Sequence, residues 1–183
     1  HTNPGKCYID MVKEFKYSIE DVREFIGNSI NGSFVDDYTK KIEQLALKVY
    51  EDGYQFNQIV CIAKGGLRIG DIFCRLFNVP LAIISVESYH GETNEIQNQQ
   101  GQFTFSRDLA KTTPNLGSCV LLVDDLADSG KTLIKSIKWL EMYYGFYLDE
   151  KIRTAVLWHK SSSNYKPNYS VNFLKDSPWI HMP

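Results

Sequence analysis

No apolar stretch in this 183-residue chain approaches the roughly 18 consecutive residues of a membrane-spanning helix. No signal-peptide pattern stands ahead of the first periodic segment, so no membrane partner is expected. Cysteine is sparse. Cys7, Cys61, Cys74 and Cys119 show neither C-x-x-C nor zinc-ligand spacing, which excludes a disulfide scaffold and a zinc ribbon. The four histidines have no partner spacing that suggests a metal site. A net charge of −2 offers no bulk field for nucleic acid, so none is expected as a partner, although it permits a local cationic pocket. There is no internal repeat and no interdomain linker, and a single domain over residues 1–183 is expected. Hydrophobic content of 43% and charged content of 23% are ordinary for a soluble globular protein. Cys61 and Cys119 are expected inside apolar strands as free thiols, which reads as a reducing, cytoplasmic setting.

Against that plain background one stretch carries chemistry: Cys119 to Thr132, CVLLVDDLADSGKT. Cys119–Val123 is apolar without alternation, as expected of a central parallel strand covered on both faces. Asp124 and Asp125 follow where that strand is expected to end. Asp128-Ser129-Gly130-Lys131-Thr132 then offers backbone N–H groups, two hydroxyls and a helix N-terminus, which together suit a phosphate. Ligands of open α/β sheets bind at the carboxyl ends of strands. Two acids and a phosphate cradle at one strand end would be satisfied by a ligand with both vicinal hydroxyls and a phosphate. The ending Gly130-Lys131-Thr132 looks like that of a P-loop, but the glycine required five positions before Gly130 is replaced by Asp125. A carboxylate there would repel a triphosphate, and the nucleoside-triphosphatase reading is rejected.

Elsewhere strands and helices alternate. Ser18 and Asp21 predict a capped helix start leading into Val22, Phe25 and Ile26. Asp36 to Glu51 has a helical apolar pattern that Gly53 ends. Ile59–Ala63 predicts a buried strand, followed by a Lys64-Gly65-Gly66 break and a helix through Ile69, Ile72, Phe73 and Leu76. Further strands are predicted over Leu81–Val86, Phe103–Phe105, Ile152–Trp158 and Val171–Phe173, with a helix from about Gly130 to Tyr144. The fold class is α/β: a mainly parallel twisted sheet flanked by helices.

The Cys119–Thr132 segment resembles the phosphoribosyl-diphosphate (PRPP) motif of type I phosphoribosyltransferases: hydrophobic strand, acid pair, two residues, then D-[ST]-G-x-T. The resemblance implies that Asp124 and Asp125 hold the ribose hydroxyls and that Asp128, Ser129, Gly130, Lys131 and Thr132 wrap the 5-phosphate. It also implies Mg²⁺ near Asp125 and Asp128 as the catalytic base that takes a proton from the incoming base. Lys64-Gly65-Gly66 is similar to the pyrophosphate loop of the purine enzymes, which implies a cis Ala63–Lys64 peptide. Alone, such a turn is more often just a turn. Its place one strand and one helix before the acid pair favours function.

Two further segments narrow the resemblance to the 6-oxopurine branch. Ser88 and Tyr89 open a polar stretch to Gln102 that resembles a lid. Lys160, at a strand end, and Trp179-Ile180 are similar to the residues that read the purine 6-oxygen, stack on the base and read its 2-position. They imply a small C-terminal base-binding hood over about residues 158–183. The implied function is purine salvage: transfer of the phosphoribosyl group from PRPP to guanine, hypoxanthine or xanthine, by a homo-oligomer (dimer or tetramer). A non-catalytic PRPP-binding regulator and an enzyme for a non-purine base are the alternatives. Residues 1–55 receive no chemistry.

Overall fold

The computed structural model describes residues 36–88, 103–145, 151–176, 178 and 180. Helix α1, Asp36–Glu51, has the bounds its pattern predicts, and Tyr38, Ile42, Leu45, Ala46 and Val49 form its buried stripe. After it, strand β1 (Gln58–Ala63) is buried at every position but the last. Helix α2, Leu67–Phe77, ends at Asn78, whose left-handed φ of 51° returns its N–H to the Cys74 carbonyl. Strands β2 (Leu81–Ser88), β3 (Phe103–Phe105) and β4 (Ala110–Lys111) follow. The chain then forms β5 (Val120–Ala127), helix α3 (Lys131–Tyr144), β6 (Ile152–Lys160) and β7 (Tyr169–Leu174).

The strand order is β3-β2-β1-β5-β6-β7, with β4 also on β2. The run from β2 to β7 is parallel throughout, whereas β3 and β4 pair antiparallel with β2. Alternate residues of the central strands feed two separate cores. Ile59, Cys61, Leu121, Val123 and Leu157 pack with Ile42, Leu45 and Phe73 from α1 and α2. Val60, Ile62, Leu122 and Val156 pack on the other face with Leu133, Trp139 and Leu140 from α3. Covering on both faces is why these strands are apolar without alternation. Truncating fully buried Leu121 or Leu122 to alanine should cost about 2–5 kcal/mol. No helix among the described residues is long and apolar enough to cross a membrane.

Three expectations need correction. β5 does not end before the acid pair but runs on to Ala127, because β6 extends to Lys160 and pairs with it through Leu126↔Trp158 and Ala127↔His159. Cys119 lies ahead of β5 rather than inside it, half-buried, its N–H donated to the Asn57 side chain. The two-residue β4 was not predicted, being too short to carry a periodic signal. The predicted helix start at Ser18 and Asp21 lies outside the described residues, as does nearly all of the proposed lid.

Candidate active site at the carboxyl ends of β1, β5 and β6

The strand order reverses direction between β1 and β5: β1 leads outward to β2, and β5 leads the opposite way to β6. A crevice forms at such a switch point, outside the carboxyl ends of the strands. On its β1 side, the Ala63–Lys64 peptide is cis, as the resemblance implies, and Lys64-Gly65-Gly66 turns into α2. The turn is closed by Gly66 N–H to Ile62 O at 2.8 Å and Leu67 N–H to Lys64 O at 3.2 Å. It lies hard against β5. A β-carbon at Gly65 would stand 2.4 Å from the Asp125 carboxyl carbon, and one at Gly66 would stand 2.4 Å from the Val123 carbonyl oxygen. Glycine is required here by close approach, to the Asp125 side chain at Gly65 and to the Val123 and Ile62 backbone at Gly66, rather than by φ.

Asp124 is 7% exposed and accepts the Asp125 backbone N–H at 3.0 Å. Burial, and then the neighbouring Asp125 charge, hold the Asp124 carboxyl well above the usual carboxylate range. Burial also pushes Asp125 up. Two adjacent desolvated carboxylates at a strand end are costly unless hydroxyl donors or a cation come to them. Their hard oxygens suit Mg²⁺, which is usually held by one or two carboxylates plus substrate phosphates rather than by an all-protein cage. Among the described residues no group of three or more His, Cys, Asp and Glu forms such a cage. As a pair of adjacent carboxylates the donor set fits the implied ion, which Asp125, together with Asp124, would hold.

Across β5, Asp128, Ser129 and Gly130 form the turn into α3. Gly130 has φ +74°, and its carbonyl starts the helix by accepting the Ile134 N–H at 3.1 Å. A β-carbon there would meet Ser163 Oγ at 2.6 Å and the Tyr165 nitrogen at 2.8 Å. The first turn of α3 holds no acidic side chain to compete with an anion. Lys131 is exposed and Thr132 half-buried at the helix mouth.

β6 delivers the third component. Lys160, its last residue, is 5% exposed, and its Nζ lies 3.1 Å from Asp128 Oδ1. The side chains expected to serve as base and as purine reader are thus in contact. Of the remaining candidates, Ser88 ends β2 with its side chain outside the description, Tyr89 and Trp179 lie outside the described residues, and Ile180 is half-buried.

Sequence reasoning missed the wall built by α1 and α2. Tyr38 packs on Trp158 at 5.8 Å between ring centroids, and the Arg68 guanidinium stands 5.5 Å over the Tyr38 ring. Burial and the Asp125 charge push the Tyr38 hydroxyl up to about 12, with Arg68 opposing them. Tyr38 gave no signal, because an aromatic at helical spacing reads as core. Arg68 gave one that went unused: a cation in the first helical turn after a glycine loop.

The phosphoribosyl transferase domain family model matches residues 35–183. Among solved structures, a purine phosphoribosyltransferase from Pyrococcus horikoshii superposes with a TM-score of 0.59 at 24% identity, covering 82% of this chain and 95% of that one. A xanthine-guanine-hypoxanthine phosphoribosyltransferase from Helicobacter pylori gives 0.60 at 22% identity, covering 79% and 86%. The Giardia lamblia APRTase bound to 9-deazaadenine gives 0.51 at 17% identity, covering 74% and 80%. At these identities the structures establish a common fold.

Proposed function

The chain belongs to the phosphoribosyl transferase domain family, a pentosyltransferase family, and on that premise we propose that it transfers the 5-phosphoribosyl group of PRPP to N9 of a 6-oxopurine. One observation carries the choice of base: the 3.1 Å contact between Lys160 Nζ and Asp128 Oδ1. A 6-oxopurine presents a carbonyl acceptor at C6 beside an N–H donor at N7. Lys160, donor only, complements the first, and Asp128, an acceptor when ionised, complements the second. Adenine would set its 6-amino donor against an ammonium and leave a buried charge unpaired.

In this reading Asp124 and Asp125 accept hydrogen bonds from the ribose hydroxyls, each charge-assisted bond contributing about 1.5–3 kcal/mol. The turn Asp128–Thr132 takes the 5-phosphate, and N–H groups of Lys64, Gly65 and Gly66 meet the leaving diphosphate. When bound, Mg²⁺ supplies neutralisation of the diphosphate charge. The bond from the anomeric carbon to diphosphate oxygen breaks with its electron pair leaving on the diphosphate. N9 then bonds to that carbon, and the N7 proton passes to Asp128, a transfer worth roughly 10²–10⁴ in rate. Trp179 stacks on the base and Ile180 reads its 2-position, while the lid opened by Ser88 and Tyr89 excludes water that would intercept the ribosyl cation. Free thiols at Cys61, Cys74 and Cys119 support a cytoplasmic setting. The family resemblance supports a single domain acting as a homo-oligomer.

Pyrophosphate release should be assayed with PRPP, Mg²⁺ and each of guanine, hypoxanthine, xanthine and adenine. Turnover with one or more 6-oxopurines and not with adenine is expected. Equal use of adenine and guanine would overturn the specificity. PRPP binding without turnover on any base would instead make the chain a regulator.

A further inference from the structure

The turn that follows Lys160, Ser161-Ser162-Ser163-Asn164-Tyr165, takes no part in the functional reading above, yet it touches the phosphate loop at three consecutive residues. Ser162 Oγ–H donates to the Asp128 carbonyl at 3.2 Å. The Asn164 backbone N–H donates to the Ser129 carbonyl at 3.0 Å. Gly130 packs directly on Ser163 and Tyr165. The turn is closed on itself: Ser163 N–H donates to the Lys160 carbonyl at 3.0 Å, and Ser163 Oγ–H donates to the Tyr165 carbonyl at 2.7 Å. At its start it is tied to the end of β7, through Ser161 N–H to Leu174 O at 2.9 Å and Ser161 Oγ–H to Lys175 O at 2.5 Å.

These contacts set the direction of two peptides. In a trans peptide the C=O and the N–H of the same unit point opposite ways. Both units here are trans, since Ala63–Lys64 is the one cis bond among the described residues. Holding the Asp128 carbonyl from the turn side sends the Ser129 N–H away from the turn. Holding the Ser129 carbonyl does the same for the Gly130 N–H. Asp128 and Ser129 are exposed on the loop, whereas Gly130 itself is buried. Two adjacent amide donors are thereby pre-aimed at the position an anion would occupy, and two repelling carbonyls are turned away from it.

We propose that Ser162 and the Asn164 amide are positioning groups for the 5-phosphate loop, acting through the Asp128 and Ser129 carbonyls. Because the same turn begins on the residue that pairs with Asp128, it joins the base-reading end of β6 to the phosphate cradle. This rests on the PRPP reading above and specifies how its phosphate site is held.

The test compares wild type, Ser162→Ala and Ser162→Thr for PRPP·Mg²⁺ affinity by calorimetry, KM for PRPP and for guanine, and melting temperature. Loss of one net hydrogen bond predicts PRPP binding weakened about 2- to 12-fold in Ser162→Ala. The KM for guanine should stay near wild type, the melting temperature should fall by only about 1–6 °C, and Ser162→Thr, which keeps the hydroxyl, should restore both PRPP affinity and melting temperature. Asn164→Pro removes the second donor and should weaken PRPP further. A folded Ser162→Ala with wild-type PRPP affinity overturns the inference, as does an equal loss for guanine and PRPP. If wild type itself fails to bind PRPP, the underlying reading falls and takes this one with it, an outcome distinct from the other two.

Discussion

Replacing Asp124 with asparagine should stabilise the free protein while weakening its hold on PRPP. Asp124 is almost fully buried, and its carboxyl is held well above the usual range by desolvation and by Asp125. Asparagine is nearly isosteric and opens no cavity. Its Oδ1 keeps the 3.0 Å bond from the Asp125 N–H, and its amide can donate to the Asp125 carboxylate where two like charges now meet. Single stabilising substitutions typically gain about 0.5–2 kcal/mol. For a protein of this size each kcal/mol moves the melting temperature by roughly 2–4 °C, so a rise of about 1–8 °C is expected at neutral pH.

The sign with pH gives a sharper test. A carboxyl whose folded pKa is raised contributes stability that is fully present below its unfolded pKa of about 3.9 and lost as pH rises through the folded value. The gap between Asp124→Asn and wild type should therefore be small near pH 4 and widen toward neutrality in melts without Mg²⁺ or PRPP. Adding PRPP·Mg²⁺ should reverse the ranking, since ligand at 100-fold over its Kd stabilises wild type by about 2.7 kcal/mol and the variant by less. An Asp124→Asn protein that melts below wild type at pH 7.5 without ligand, or a gap that does not change with pH, would refute the reasoning.

Three further outcomes are expected. Asp128→Asn should keep PRPP affinity near wild type but lower kcat by about two to four decades in steady-state assays; an unchanged kcat removes Asp128 from the proton-accepting role. Lys160→Gln, whose amide accepts as well as donates, should lower the guanine-to-adenine ratio of kcat/KM, and an unchanged ratio would take the 6-oxygen contact away from Lys160. Trp179→Ala should raise KM for every purine about 5- to 150-fold, as expected for loss of a base-stacking ring, with KM for PRPP little moved.

What the sequence disclosed and what it concealed divide along a physical line. Signals confined to one segment were legible: the α1 stripe of Ile42, Leu45, Leu47 and Val49, the unbroken apolarity of β1 and β5, and the glycines at the loops after them. Properties that belong to a partner strand or helix were not. Nothing in Asp124 to Ala127 announces that the strand continues, because the pairing that continues it comes from Val156, Trp158 and His159 on β6. Local pattern likewise cannot tell that Gly65 is needed for Asp125, or that Gly130 is needed for Ser163 and Tyr165, since each clash lies across the sheet end. The Lys160–Asp128 contact shows why this matters for function. Read alone, a lysine at a strand end is a surface residue and an aspartate in a phosphate loop is an electrostatic liability. Together they form a buried cation with a partly exposed carboxylate, which ordinary stability would not select, since burying the ammonium costs more than an exposed partner returns. A ligand that presents one acceptor and one donor side by side would repay that cost, and such a ligand is what the specificity argument requires.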